Sequence, residues 1–111
     1  MVIPREFTIN GKLWKVRYRK RLRLHGHDCN GVADTATRTI YISSLLKKKE
    51  LPFVFWHEYC HALLNEASIT NNNTGGISEI IEEVICDSFA NAMTDVDKII
   101  RFRKKKKIAD M

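Results

Sequence analysis

Two histidines and a glutamate are closely spaced in the segment Trp56-His57-Glu58-Tyr59-Cys60-His61, which reads H-E-x-x-H. Histidines four residues apart lie on one face of an α-helix, so both imidazoles can reach a single metal ion. Glu58 is turned off the metal axis by one residue but remains close to a water molecule bound to that ion. Two nitrogen ligands and a carboxylate base are components of a hydrolytic zinc enzyme. The spacing therefore predicts that His57 and His61 bind Zn²⁺ and that Glu58 is the catalytic base.

The third protein ligand of this predicted zinc site must come from elsewhere, because a catalytic zinc ion takes three protein ligands and one water. The other two histidines, His25 and His27, lie in an aperiodic segment early in the chain. A later, acid-rich helical segment is the better source, and its candidates are Glu79, Glu82, Glu83 and Asp87. Hydrophobic periodicity favours Glu82, at the edge of the apolar stripe. The i, i+4 pairing favours Glu83 with Asp87, since one can bind the metal while the other holds an imidazole.

The segments 57–64 and 83–90 together resemble the ImmA/IrrE family of zinc metallopeptidases, in particular the minimal versions encoded by phages and mobile elements. The resemblance covers about residues 31–95 and extends to the broader gluzincin pattern. In that family the helix after H-E-x-x-H carries a glutamate ligand, with Asn or Asp four residues later. The resemblance implies that Glu83 is the third zinc ligand and that the protein is a zinc metalloendopeptidase acting on a protein or peptide. The family's usual second glutamate is replaced here by Ile85.

Hydrophobic patterning predicts one α+β domain over residues 1–111, with a small, mainly antiparallel sheet packed on two helices. The resemblance implies that this domain is a minimal zincin-like fold. Residues 1–42 form the sheet, and Asn10-Gly11 is typical of a type I′ hairpin turn. The further predicted elements are a metal helix at 52–66, a loop at 71–76, a third-ligand helix at 78–103 and a basic tail at 104–111. The expected core stripe of the third-ligand helix is Ile81, Val84, Ile85, Ser88, Ala92, Val96 and Ile99.

The predicted mechanism is peptide-bond hydrolysis by a zinc-bound water with Glu58 as general base. An extended substrate is expected to add as a strand along the edge formed by residues 40–42. Tyr59, His25 and His27 are equal candidates for stabilising the oxyanion.

Charge is unevenly distributed in this chain of 111 residues with a net charge of +6. Residues 1–24 hold eight basic side chains and one acid, residues 79–97 hold six acids and no base, and residues 98–107 hold seven bases and no acid. Such asymmetry allows an alternative function, a metal-stabilised binding module for nucleic acid or a protein partner without catalytic activity. A metal-free structural domain is a third interpretation. Three cysteines without framework spacing favour a reducing cytoplasm, and we expect no signal peptide and no membrane span.

Overall fold

The computed structural model describes residues 1–69 and 76–109, with the backbone only at 101, 102 and 104–109. Residues 71–75 of the predicted loop and the last two residues of the predicted basic tail lie outside this range. The elements are β1 (Glu6–Ile9), β2 (Lys12–Arg19), β3 (Arg23–Leu24), β4 (His27–Asp28), β5 (Gly31–Asp34), β6 (Thr39–Ser43), α1 (Leu51–Glu66) and α2 (Glu79–Ala109).

The predicted hairpin at the start of the sheet is confirmed. Asn10 and Gly11 have φ angles of 50° and 76°, the left-handed conformation that a type I′ turn requires. Trp14 and Val16 of β2 point into the core, whereas the alternating Lys15 is exposed. The exposed face of β2 is therefore the basic one, as strand alternation predicts.

The main sheet has four strands in the order β1-β2-β6-β5. The β1–β2 and β6–β5 pairs are antiparallel, and β2 and β6 are parallel. The expected α+β class with a mainly antiparallel sheet is thus confirmed. The expectation that residues 40–42 form a free edge is wrong, because β6 is paired on both sides and β5 is the outer strand.

Helix α1 lies at the centre of the molecule, in contact with β5 and β6 and with α2. Its buried residues are distributed around the helix, as expected of a helix covered on more than one side. They are Val54, Phe55, Glu58, Cys60, Ala62 and Leu64. Because α1 separates α2 from most of the sheet, α2 is positioned chiefly by α1.

The predicted core stripe of α2 is wrong. Ile81, Val84 and Val96 are between 46% and 60% exposed, whereas Cys86 and Ala90 on the opposite side are fully buried. Periodicity identifies an apolar stripe but does not say which neighbour covers it. Here α2 turns its carboxylates towards α1, and this orientation places the apolar stripe outside.

Helix α2 continues to Ala109, beyond the predicted end at 103. Its 31 residues correspond to a length of about 46 Å, against about 24 Å for the 16 residues of α1. No helix in the described part of the chain is both long and apolar enough to cross a membrane.

Candidate metal centre

Helix α1 presents both histidines of the H-E-x-x-H segment to α2. The helix begins after Glu50 with a proline in its first turn, where the missing backbone N–H costs nothing. One helical turn separates His57 from His61, and their side chains are 14% and 17% exposed. The two rings are therefore held largely within the protein, with their Nε2 atoms 3.1 Å apart.

Glu83 of α2 completes a triangle with these two nitrogens. Its Oε2 lies 3.1 Å from His57 Nε2, and its Oε1 lies 2.9 Å from His61 Nε2. Ligand atoms about 2.0–2.1 Å from a tetrahedral zinc ion are about 3.3 Å from one another. The two nitrogens, and the Glu83 oxygen nearest each of them, are slightly closer together than that, so a small outward movement of the side chains would seat an ion. His57, His61 and Glu83 form a group that could hold a metal ion.

The second nitrogen of each imidazole faces another carboxylate of α2. Glu82 Oε1 is 2.7 Å from His61 Nδ1, in hydrogen-bonding geometry. Asp87 Oδ1 lies 2.9 Å from His57 Nδ1, although the two atoms are not aligned for a hydrogen bond. When Glu82 accepts a hydrogen bond from Nδ1–H of His61, the lone pair of the neutral ring is on Nε2 and faces Glu83. Carboxylates in this position orient metal-binding histidines and raise their basicity.

Glu58 is buried beside the triangle, with 8% of its surface exposed. Burial raises the pKa of its carboxyl above the ordinary value, while the neighbouring His61 and His57 rings act in the opposite direction. The backbone N–H of Ala33 in β5 donates a hydrogen bond to this carboxylate. A carboxyl with a raised pKa that is held by a strand can accept a proton more readily than a solvated one.

Gly31 allows β5 to approach Glu58. A Cβ atom at this position would lie 2.8 Å from Glu58 Cγ and 2.8 Å from Val54 Cγ1, well inside van der Waals contact. The close approach of strand and helix brings the Ala33 backbone to the carboxylate. The absence of a side chain at Gly31 is thus part of how the site is built.

The site opens into a cleft of about 580 Å³. β5 forms one wall through Gly31, Val32 and Ala33, and the β3–β4 turn contributes His25. The opposite side is formed by the two helices. The lining therefore combines the candidate metal ligands, the buried Glu58 and an outer strand in one cavity.

An apolar contact zone fixes α2 against α1 next to the metal group. Phe89 stacks on Tyr59 with ring centroids 6.2 Å apart and meets Trp56 edge-on at 6.0 Å. The thiols of Cys60 and Cys86, both buried, are hydrogen-bonded to each other, and burial raises the pKa of each. These contacts between α1 and α2 keep Glu83 at the same level along the helices as the two histidines.

The sequence analysis named the three residues of the candidate metal group, but it missed two other features of the site. His57, His61 and Glu83 are brought together, while Glu82 contacts the far nitrogen of His61. The contact of Glu82 with His61 was missed, although hydrophobic periodicity had made Glu82 a candidate ligand at the edge of the apolar stripe. The role of Gly31 was also missed, and no sequence pattern indicated it.

The three residues considered for oxyanion stabilisation occupy different environments. His25 lines the cleft. Tyr59 packs among the aromatic rings of Phe7, Phe55 and Trp56. His27 is on strand β4, on the far side of the turn from His25. His25 is therefore the one placed in the cleft wall.

No family model, curated protein or solved structure matches this chain. The resemblance to ImmA/IrrE metallopeptidases rests on the sequence segments that carry it.

Proposed function

We propose that this protein is a zinc-dependent metalloendopeptidase of the ImmA/IrrE-like, gluzincin type. The observation that carries the proposal is the position of Glu58, a buried carboxylate with a raised pKa beside a triangle of two imidazoles and one carboxylate. A structural metal site has no need of such a base, because its ligands complete the coordination.

His57, His61 and Glu83 are the proposed Zn²⁺ ligands. Two neutral nitrogens and one carboxylate are ligands that zinc accepts in hydrolytic enzymes. The ion supplies Lewis acidity, which lowers the pKa of a water molecule towards about 7 and polarises a carbonyl group. Glu82 and Asp87 are proposed to keep the two imidazoles oriented through their Nδ1 atoms.

Glu58 acts as the proton carrier in this proposal. Its carboxylate accepts the proton of the attacking water and then delivers it to the amine nitrogen as the peptide bond breaks. The Ala33 backbone N–H holds the carboxylate in place, and burial keeps bulk water from competing for it. In this proposal His25, which lines the cleft, donates a hydrogen bond to the carbonyl oxygen as negative charge develops.

An extended segment of a protein is the proposed substrate. β5 is an outer strand of the sheet and its residues line the cleft, so a peptide can pair with its free edge. Backbone pairing would place a scissile bond across the front of the histidines and Glu58. We expect the protein to act in the cytoplasm, and a phage or mobile-element origin fits the resemblance.

The test begins with metal content, measured by mass spectrometry on untagged protein. Wild type should carry about one zinc per chain. His61→Ala and Glu83→Ala should both lose it, and Leu45→Ala, a change at an exposed loop residue, should not. A folded wild type that takes up no zinc after reconstitution would rule out the enzyme.

Cleavage is tested next with a library of unstructured peptides. Wild type should cut a subset of them, and Glu58→Gln should retain zinc but lose at least about 100-fold in rate. Equal cleavage by the zinc-loaded Glu58→Gln variant would contradict the assignment of the base.

A metal-stabilised binding module for nucleic acid is the second candidate. It is favoured by the exposed basic face of β2, where Lys15, Arg17 and Arg19 lie on the side of the sheet away from α1. Affinity for DNA that falls steeply with salt, and that falls further when these three residues are changed to alanine, would support this function. No retention on DNA at physiological salt would dismiss it.

A further inference from the structure

A second cavity lies beside the outer strand β5, next to the cleft at the metal group. Its volume is about 600 Å³, and the segment 21–24, which contains β3, forms part of its wall. We call it the arginine groove, and its lining includes Arg19, Arg21, Arg23, Leu24, Val32 and Tyr41. Four residues line both the groove and the cleft, namely Leu24, Val32, Ala33 and Thr35. The two cavities therefore meet along β5.

The arginine groove lies on the face of the sheet that is turned away from α1. Gly31 of β5 approaches α1, so the next residue, Val32, points to the opposite face. Val32 is paired with Tyr41 of β6, and the guanidinium of Arg19 lies over the Tyr41 ring, 5.1 Å from its centroid. This cation–π contact keeps Arg19 at the groove. The groove therefore combines an apolar floor with a positive charge above it.

The charge of the groove is predominantly positive, because three arginines and one acid, Asp34, are among its lining residues. Asp34 Oδ1 accepts hydrogen bonds from two backbone N–H groups of the turn after β5. Arg23 is paired with Asp28, with Nε and Oδ1 3.2 Å apart. Within the described part of the chain, Arg19 and Arg21 form no ion pair. Two guanidinium groups are thus left for an anionic ligand.

A peptide that pairs with β5 would lie along the boundary between the cleft and the arginine groove. This step rests on the proposed function, in which an extended substrate adds to the free edge of β5. Successive side chains of a strand point to opposite faces of its sheet. The side chains of the bound peptide would therefore point alternately towards the metal group and towards the arginine groove.

We propose that the arginine groove is a specificity subsite for glutamate or aspartate side chains of the substrate, at positions that alternate with those facing the metal group. Guanidinium groups bind carboxylates through charge-assisted hydrogen bonds, often two at once. The methylene groups of an acidic side chain can pack on Val32 and Tyr41 while its carboxylate reaches Arg19 and Arg21. The substrate is thus an extended segment with acidic side chains on one face.

Peptide binding without cleavage tests this subsite. Two fluorescein-labelled peptides of equal length are compared, one alternating glutamate with serine and the other alternating glutamine with serine. In the extended form, all acidic side chains of the first peptide lie on one face. The protein is the full chain with Glu58→Gln and added zinc, which does not cleave peptides in the proposed mechanism. Fluorescence anisotropy should give a dissociation constant about five- to tenfold lower for the glutamate peptide.

Two double variants, each made in the Glu58→Gln protein, show where the preference arises. Arg19→Gln/Arg21→Gln removes two charges from the groove and should abolish the preference for the glutamate peptide. Lys12→Gln/Lys49→Gln also removes two charges, at exposed residues that do not line the groove, and should keep the preference. Circular dichroism checks that all the proteins are folded. An equal loss of preference in both double variants would overturn the subsite, because net charge alone would then attract the peptide.

Further outcomes separate the subsite from its rivals. Equal affinity for the two peptides would overturn it. A preference that persists in the Arg19→Gln/Arg21→Gln protein would also overturn it, because the carboxylate would then bind elsewhere, such as at the zinc ion. Binding of single-stranded DNA that this variant abolishes, with no preference between the peptides, would assign the groove to nucleic acid instead.

Cleavage by wild type separates this inference from the proposed function. If wild type cleaves library peptides but the two test peptides bind equally, the subsite fails and the peptidase stands. If the preference depends on Arg19 and Arg21 but no library peptide is cleaved, the groove is supported as a site for acidic peptides and only the peptidase fails.

Discussion

Replacing Gly31 by alanine should destabilise the protein and displace Glu58, the proposed catalytic base. The added Cβ would lie 2.8 Å from both Glu58 Cγ and Val54 Cγ1, whereas carbon atoms in contact are about 3.5–4.0 Å apart. Both neighbours belong to α1, one turn apart, so a single movement of one side chain cannot relieve both contacts. Either β5 must move away from the helix or the helix must shift.

The expected cost is that of overpacking a core, about 1–3 kcal/mol. Alanine also restricts the unfolded chain relative to glycine, which offsets about 0.4–1 kcal/mol of this. The thermal midpoint should fall by about 4 °C for each kcal/mol lost. The proposed peptidase activity should fall by more than the loss of folded protein explains, because a displacement of about 1 Å at a reacting group can cost about 100-fold in rate.

Chemical denaturation, zinc analysis and peptide cleavage together measure these effects. Zinc content should stay close to that of wild type, since none of the close contacts of the new Cβ is with a proposed ligand. Val54→Ala provides the matched background, because it removes one of the two groups that the new Cβ would meet. In this background Gly31→Ala should lower the free energy of unfolding by less than it does in wild type. Unchanged stability and activity in the Gly31→Ala protein would refute the close approach of β5 to Glu58.

Three further predictions concern the surroundings of the site. Glu82→Ala should weaken zinc binding by about 10–100-fold without removing a proposed ligand. Competition with a chelator measures the zinc affinity, and Glu83→Ala should lower that affinity more than Glu82→Ala does. Phe89→Ala should lower the free energy of unfolding by about 3 kcal/mol in denaturation experiments, because it removes the ring that contacts Trp56 and Tyr59. A variant as stable as wild type would contradict this packing. Glu66 accepts hydrogen bonds from Arg38 and Trp14, and the Arg38 contact lowers the pKa of its carboxyl. Its contribution to stability is therefore present above the ordinary carboxyl pKa and is lost as the pH falls through the lowered value. Glu66→Gln should be less stable than wild type at neutral pH, and the difference in stability should vanish in acid. A stability difference that grows as the pH falls would contradict the lowered pKa of Glu66.

The sequence alone determined the local features of this protein. The turn at Asn10-Gly11 followed from backbone sterics, and the placement of His57, Glu58 and His61 on one helix followed from helical spacing. The α+β class followed from the order of alternating and helical patterns. These features depend on interactions over a few residues, which is why periodicity and turn chemistry are sufficient to predict them.

Tertiary structure decided which surfaces meet. The sequence shows that α2 has an apolar stripe, but only packing shows that α1 contacts the opposite face and leaves Ile81 and Val96 exposed. Packing likewise places Glu83 at the imidazoles with Glu82 behind His61, and pairs β6 on both sides so that β5 borders the cleft. The close approach of Gly31 to Glu58 is a contact between segments that are distant in the chain. The sequence offered both Glu82 and Glu83 as candidates without deciding between their positions. The exposed stripe, the pairing of β6 and the contact at Gly31 have no local signal, because each depends on the relative position of elements that are remote in the chain.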